Sequence, residues 1–191
     1  MPHTSTLLLI DIQNGFDHPT FWGSSRSNPS FEKNVPRLLK AFRDASANVI
    51  HVVHHSVHID SPLHPTSSGV TVQSYASPLP NEPVIAKNVN SAFIGTELES
   101  IIKEKLGTTR LYVAGLTTDQ CVSTSVRMAS NLGVVPNAVH NVFSVDDATA
   151  VYAKGGWDAK TVHKVNAASL NGEFCQIITT EEAIREMETS H

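Results

Sequence analysis

Short apolar runs alternate along this chain with longer segments in which apolar residues recur at every third or fourth position. A short run bounded by turn residues is typical of a strand buried on both faces, whereas the longer spacing predicts an amphipathic helix. The runs predict six strands, at residues 7–12, 48–53, 84–86, 111–114, 138–142 and 174–178. The spaced segments predict helices at residues 34–45, 96–107, 118–132 and 158–171, and a last short helix that begins near residue 179.

Local signals set several of these boundaries. Thr96 and Glu99 have the spacing of a capping box, and Thr118 is a candidate N-cap for the helix that follows the fourth strand. Pro136 cannot join a central sheet ladder, so we predict that the fifth strand begins after it.

Strands that alternate with helices indicate a parallel sheet with right-handed crossovers and helices on both faces. The predicted fold class is therefore α/β, as a Rossmann-like three-layer α/β/α arrangement around a six-stranded parallel sheet. A chain of 191 residues without internal repeats fits a single domain over residues 1–191.

The composition argues against several kinds of partner. The net charge is -4, so we expect no basic surface for nucleic acid or an anionic membrane. The two cysteines, Cys121 and Cys175, are too few for a disulfide framework and suit a reducing compartment. The apolar run before Asp11 is too short for a secretory signal, and no run reaches membrane-spanning length. We therefore expect a cytoplasmic protein with a small-molecule substrate, without nucleic-acid or membrane partners.

Three reactive side chains lie at the carboxyl ends of predicted strands, where parallel sheets bind their ligands. Asp11 ends the first strand, Lys87 follows the third, and Cys121 lies in the first turn of the helix after the fourth. A helix N-terminus and a nearby ammonium favour a thiolate, and a carboxylate can accept the thiol proton. Each residue alone has an ordinary structural interpretation: a buried cysteine, a loop-capping aspartate, a solvated lysine. Together they predict acyl-transfer chemistry.

A histidine-rich segment follows the second strand and contains His54, His55, His58 and His64. Imidazoles at short spacing can ligate zinc or iron, but no His-Glu-x-x-His or paired-cysteine motif accompanies them. We interpret the segment as a polar surface loop and predict no metal. No G-x-G-x-x-G or P-loop follows a strand, so we also expect no cofactor, which disfavours a flavin or nucleotide binding module. A catalytically silent interaction protein is the other alternative, disfavoured by the three reactive residues.

Three stretches carry a resemblance to a known family: LLLIDIQNGF around Asp11, KNVNSAFIGTEL from Lys87, and GLTTDQCVSTSVRMASNLG around Cys121. With the weaker match NAASLNGEF, they resemble, in order and over most of the chain, the isochorismatase-like cysteine hydrolase family. The resemblance implies a six-stranded parallel sheet and an Asp-Lys-Cys triad at these three positions. It also implies a cis peptide bond between Leu116 and Thr117, an oxyanion hole made by the N–H groups of Thr117 and Cys121, and a homodimer or homotetramer.

Members of that family hydrolyse nicotinamide, N-carbamoylsarcosine, related small amides or ureides, or the vinyl ether of isochorismate. The resemblance thus implies an enzyme that acts on a small substrate, and we predict cysteine-dependent hydrolysis of an amide or ureide C–N bond through a thioester. In the nicotinamidase branch an Asp-x-His pair and a further histidine bind a metal, and His54, His55 and His58 do not reproduce that spacing. Isochorismate hydrolysis is the alternative. It ranks second because, besides Lys87, only Arg26 is an obvious partner for a dianion.

Loop position selects five candidate substrate-binding residues. Phe93 is favoured because it lies close in sequence to Lys87, although aromatic residues in such loops equally often cover the core or a subunit contact. The candidates are Phe16 and Trp22 after the first strand, Asn90 and Phe93 after the third, and Tyr152 after the fifth.

Overall fold

The computed structural model of the chain describes residues 3–23 and 25–189, and the predicted single domain of residues 1–191 also includes positions outside these ranges. One sheet of six parallel strands forms the centre, in the order β3-β2-β1-β4-β5-β6. This confirms the predicted fold class. The strands are β1 (Ser5–Ile10), β2 (Asn48–His54), β3 (Val84–Lys87), β4 (Arg110–Leu116), β5 (Val142–Ala150) and β6 (Gln176–Ile178).

Helices cover both faces of the sheet, and each face has its own apolar cluster. α1 and α6 pack on one face, whereas α2, α3 and α5 contribute to the cluster on the other. Within the described ranges, no helix is long and apolar enough to cross a bilayer. The helices are α1 (Phe31–Asp44), α2 (Leu98–Ser100, continued by a π-helical segment, Ile101–Lys105), α3 (Ser123–Asn131, preceded by a π-helical turn, Thr118–Val122), α4 (Ala138–Asn141), α5 (Ala159–Leu170) and α6 (Thr180–Thr189).

α1 shows why burial rather than local propensity determines these helices. One side of α1 carries five wholly or almost wholly buried apolar residues, each of which stabilises the fold by about 1.5–3 kcal/mol when removed from water. The stabilisation from this burial outweighs the cost of Pro36, which removes one backbone hydrogen bond of the helix. The buried residues are Phe31, Val35, Leu38, Leu39 and Phe42.

The predicted strand at residues 138–142 is wrong. Residues 138–141 form α4, which follows Asn137, a residue with a left-handed φ of 49°. β5 begins only at Val142, the last residue of the predicted strand. The sequence pattern missed most of β5 because Asp146 and Asp147 interrupt its apolar run. Both carboxylates are bonded by side chains from elsewhere in the fold, which makes an acidic pair tolerable within a strand.

The predicted capping box at Thr96 is only partly correct. Thr96 Oγ1 accepts a hydrogen bond from the Leu98 backbone N–H at 3.3 Å, as a capping side chain does. Glu99 does not reach back to the helix start but pairs with Lys103, one turn further along, at 3.3 Å. A helix begins here as expected, without the reciprocal bond.

The order of strands reverses between β1 and β4, and this is where a doubly wound sheet binds ligands. Gly115 of β4 pairs with Ile10 of β1 and has a φ of 130°. A Cβ atom at Gly115 would lie 2.0 Å from the Ile10 carbonyl oxygen, so only glycine permits this approach of the two backbones. The close contact brings the residues that follow each strand together at the carboxyl edge.

Candidate active site

Asp11 leaves the sheet directly after β1. Its φ of 53° is left-handed, a conformation that aspartate adopts more readily than most residues, and its N–H donates to the Val52 carbonyl at 2.8 Å. β1 therefore ends at Ile10 rather than at residue 12 as predicted. The Asp11 side chain is completely buried at the edge where β1 meets β4.

Lys87, the last residue of β3, reaches across the carboxyl ends of β2 and β1 to Asp11. Its Nζ donates to Asp11 Oδ2 at 2.7 Å, and both side chains are fully buried. The same Nζ donates to Cys121 Sγ at 3.3 Å. The three residues predicted to form the catalytic group thus lie together around one ammonium nitrogen.

Cys121 is held by the turn between β4 and α3. The peptide bond between Leu116 and Thr117 is cis, as the resemblance implies. The Thr117 carbonyl accepts hydrogen bonds from the Gln120 and Val122 N–H groups at 3.1 and 3.2 Å, and this closes a wide turn around the cysteine. Only 8% of Cys121 is exposed, so a substrate must come close to the backbone of this turn to reach the thiol.

The electrostatics of the group differ from the sequence-based expectation of a thiolate. Burial raises the pKa of Cys121, the Asp11 carboxylate raises it further, and Lys87 lowers it only in part. Burial also raises the pKa of Asp11, although the Lys87 ammonium opposes that shift. One lysine cation already balances one aspartate anion here. A thiolate would be a second buried anion without a cation of its own, so Cys121 rests as a thiol.

Three buried side-chain polar atoms in this region have no hydrogen-bond partner within residues 3–23 and 25–189. They are Asp11 Oδ1, Thr117 Oγ1 and Asp119 Oδ1. The Cys121 sulfur lies within 4.8 Å of the Asp11 carboxylate but makes no hydrogen bond of standard geometry with Oδ1. Buried polar groups are normally paired, so these atoms keep hydrogen-bonding capacity for a ligand.

His54 also belongs to this group, which contradicts its interpretation as a surface-loop residue. The ligand atoms of Asp11, His54 and Cys121 lie within 4.8 Å of one another, a spacing that could hold a metal ion. All three are also hydrogen-bonded to Lys87 Nζ, with His54 Nδ1 at 3.2 Å. The lysine ammonium therefore lies among these atoms, and their arrangement fits that cation.

Comparison of the chain with known proteins identifies its relatives. Residues 5–182 match the isochorismatase domain. The chain is 35% identical to the isochorismatase family protein YrdC of Bacillus subtilis, over 100% of both chains. The chain belongs to the isochorismatase family. This confirms the resemblance identified in the sequence.

Further relatives agree with a hydrolase. A solved structure of an isochorismatase-family hydrolase from Chromobacterium violaceum superposes with a TM-score of 0.88 at 35% identity, and the match covers 97% of this chain and 94% of the other. Streptothricin hydrolase of Streptomyces noursei is 27% identical over 150 residues, which are 74% of this chain and 51% of that protein. The protein is an isochorismatase-family hydrolase.

The predicted substrate-binding residues divide between the two faces of the sheet. Phe93 packs in the apolar cluster that contains Cys121. Phe16, Trp22 and Tyr152 belong to the opposite cluster. Phe93 thus lies on the same face of the sheet as Cys121, and its contact with substrate stays a prediction.

The three aromatic residues of the opposite cluster form a stack of their own. The ring centroids of Phe16 and Trp22 are 4.7 Å apart, and those of Trp22 and Tyr152 are 6.3 Å apart. The Tyr152 hydroxyl donates to the Phe16 carbonyl at 2.6 Å, so its polar atom is already engaged. Asn90 is exposed in the loop after β3. Contact of these four residues with substrate stays a prediction.

A second polar network, which the sequence pattern did not reveal, supports the cysteine turn in this isochorismatase-family hydrolase. His163 of α5 is buried, with Nδ1 at 2.8 Å from Thr118 Oγ1 and Nε2 at 2.8 Å from Asp146 Oδ1. Thr118 directly follows Thr117, so the network fixes the start of the turn. The helical spacing of α5 could place His163 on an inward face, but no sequence signal identified its two partners.

Proposed function

We propose that this isochorismatase-family hydrolase cleaves the C–N bond of a small amide or ureide through a thioester on Cys121. The observation that carries the proposal is the position of Lys87 Nζ, which lies 2.7 Å from Asp11 Oδ2 and 3.3 Å from Cys121 Sγ. A base, a cation and a nucleophile are thus assembled in one buried group. The name of the relative streptothricin hydrolase also supports a hydrolytic reaction on a small molecule.

The reaction begins from a neutral thiol. When the substrate carbonyl carbon reaches the sulfur, Asp11 takes the thiol proton as the S–C bond forms and an electron pair moves to the carbonyl oxygen. The N–H groups of Thr117 and Cys121 then stabilise the oxyanion. Collapse of the oxyanion breaks the C–N bond, and Asp11 returns the proton to the leaving nitrogen. Asp11 next takes a proton from water as the water attacks the thioester, and gives that proton to the departing sulfur.

The shifted pKa values suit these proton transfers. A raised pKa makes the Asp11 carboxylate a stronger base than an exposed aspartate. A raised pKa also keeps the proton on Cys121 in the free enzyme, where a thiolate would be open to oxidation. Deprotonation of the sulfur is therefore coupled to arrival of the substrate.

The test is a panel of nicotinamide, N-carbamoylsarcosine, other small amides and ureides, and isochorismate, followed by product release. With the amide or ureide that is turned over, intact-mass analysis should show an acyl adduct on Cys121 that hydroxylamine removes. Cys121→Ala should abolish turnover, whereas Cys175→Ala, which changes the other buried cysteine, should retain it. Undiminished turnover of that substrate by Cys121→Ala would exclude a thioester.

Vinyl ether hydrolysis of the isochorismate type is the second candidate. The observation that favours it is the raised pKa of Asp11, because a protonated carboxyl can protonate a vinyl ether without a nucleophile. Arg26, the expected partner for a dianion, is ion-paired with Glu32 and lies 3.7 Å from Asp17, so its charge is already compensated. Cys121→Ala separates the candidates, since isochorismate cleavage that survives in this variant would favour vinyl ether hydrolysis.

We further propose that hydrolysis requires no metal, since Lys87 engages all three potential ligand atoms. Activity should persist after dialysis against a strong chelator. A loss that zinc, iron or manganese restores would contradict this. The homo-oligomer and the cytoplasmic location stay predictions from the sequence.

A further inference from the structure

His54 is the last residue of β2, and its backbone is fixed from two sides. It pairs in register with Lys87 of β3, and the next N–H, that of His55, donates to the Lys87 carbonyl at 2.7 Å. From the β1 side, the Gln13 side chain accepts from the His54 N–H at 2.8 Å and donates to the His54 carbonyl at 3.1 Å. These hydrogen bonds fix the backbone of His54 and so limit where its imidazole ring can lie.

The ring faces the ammonium of Lys87 through Nδ1, at 3.2 Å. An ammonium group has three N–H donors and no acceptor, so a nitrogen in contact with it must offer a lone pair. Nδ1 is therefore unprotonated, and the ring proton lies on Nε2. The Val89 backbone also acts on the ring and opposes the lowering of its pKa.

Three acceptors surround the three donors of Lys87: Asp11 Oδ2, His54 Nδ1 and Cys121 Sγ, at 2.7, 3.2 and 3.3 Å. The Lys87 side chain is fully buried, so water cannot replace a missing acceptor. Without Nδ1, the ammonium could improve its bond with Asp11 only by rotating or shifting, and its contact with the sulfur would change.

The charges around His54 keep its ring neutral. Lys87 across the sheet and His55 beside it in the chain act on the ring, and the titratable groups Asp11 and Cys121 lie close to it around the same ammonium. Burial, then Lys87, then His55 lower the pKa of His54 to about 4. Protonation of the ring would place two cations 3.2 Å apart.

We propose that His54 is a positioning residue of the active site, whose unprotonated Nδ1 holds the Lys87 ammonium against the Cys121 sulfur. The inference rests on the proposed function only in that it assigns Lys87 and Cys121 to the reaction. Its two tests need no substrate, so a different reaction at this site would leave their outcome unchanged.

The first test is the protonation state of His54 in the wild-type protein. Long-range nitrogen–proton NMR correlations, assigned with the help of a His54→Asn variant, distinguish the two neutral tautomers from the cation. The expected result is a neutral Nε2–H tautomer that does not change between pH 6 and 8, about two units or more above the pKa of the ring. An Nδ1–H tautomer, or a cation at pH 6, would overturn the proposal.

The second test is the pH dependence of Cys121 alkylation by iodoacetamide, followed by mass spectrometry. His54→Leu removes the acceptor, and the midpoint should move upward by about one pH unit because the ammonium no longer lies fixed beside the sulfur. His54→Asn retains an acceptor near the position of Nδ1, and its midpoint should return to within about 0.3 of a unit of the wild-type value. His58→Leu, a change of an exposed histidine in the loop that follows β2, should leave the midpoint unchanged.

Structural damage alone would not produce rescue by asparagine. A folded His54→Leu protein with the wild-type midpoint would overturn the proposal, as would His54→Asn with a midpoint shifted as far as that of His54→Leu. If His54→Leu does not fold, the comparison of His54→Asn with wild type and the NMR result decide it.

Discussion

Two histidines on β2, His51 and His54, belong to two buried polar groups that differ in one respect. His51 Nε2 donates to Glu82 Oε2 at 3.0 Å, Arg43 donates to both oxygens of Glu82 at 2.8 and 2.7 Å, and the Leu79 N–H donates to Oε2 at 2.8 Å. Both carboxylate oxygens of this group are therefore satisfied. In the group around Lys87, by contrast, Asp11 Oδ1 has no partner among the residues that the structure describes.

The difference has an electrostatic consequence. Burial alone would raise the pKa of Glu82, but hydrogen bonds from Arg43, Leu79 and His51 outweigh it and lower the pKa to about 2. Burial raises the pKa of Asp11, because the opposing contributions of the Lys87 ammonium and the Cys121 thiol do not overcome it. A fully bonded network stabilises the fold, whereas a network with an unpartnered oxygen retains a reactive base.

The largest effect should come from neutralising the two acids in turn. Asp11→Asn should lower kcat by roughly a thousandfold or more, because it removes the base. Glu82→Gln should leave kcat within about twofold but cost about 3–5 kcal/mol of stability, since it breaks a buried ion pair. Product release and thermal unfolding measure the two quantities. Equal losses of activity in the two variants would remove the distinction between the groups.

The second prediction uses the pH dependence of unfolding. Because the pKa of Glu82 is lower in the folded protein than its ordinary 4.5, its contribution is complete above pH 4.5 and is lost as the pH falls toward 2. Urea unfolding between pH 2 and 5 should therefore show a steeper loss of stability on acidification in wild type than in Glu82→Gln. Parallel pH profiles of the two proteins would contradict the assignment.

A smaller effect should follow from the network behind the cysteine turn. His163→Leu removes the partner of Thr118, which precedes Cys121 by three residues, and kcat should fall by about tenfold, as expected for one lost buried hydrogen bond of about 1–1.5 kcal/mol. KM should change little if the turn affects the transition state more than substrate binding. His140→Leu, which replaces an exposed histidine, is the matched control. Unchanged kcat in His163→Leu would show that the cysteine turn keeps its conformation without the hydrogen bond to His163.

Sequence patterns located the first four strands because their apolar runs are short and bounded by turn residues, and the catalytic edge because reactive residues follow three of these strands. They failed at β5, where Asp146 and Asp147 interrupt the pattern and only tertiary partners make these acids tolerable. Local rules also predicted a Cys121 thiolate. They could not show that Asp11 already takes up the charge of Lys87, which is a property of packing between strands distant in sequence.

The same limit explains why the sequence did not identify His54 as a residue of the active site. In the sequence it is one of several histidines in a polar stretch, and no spacing separates it from His55 or His58. Its role appears only when β2 and β3 are placed side by side, because the register opposes it to Lys87. Local sequence patterns do not show which residues of two distant strands lie opposite each other.

The most direct test of the account is the pH profile of Cys121 alkylation in wild type, Asp11→Asn and Lys87→Met. The central claim is that Cys121 rests as a thiol because burial and Asp11 outweigh Lys87. The account predicts a wild-type midpoint above the ordinary 9.0, a lower midpoint in Asp11→Asn and a higher one in Lys87→Met. A wild-type midpoint below about 7, typical of activated cysteines, or a profile that neither substitution moves, would contradict it.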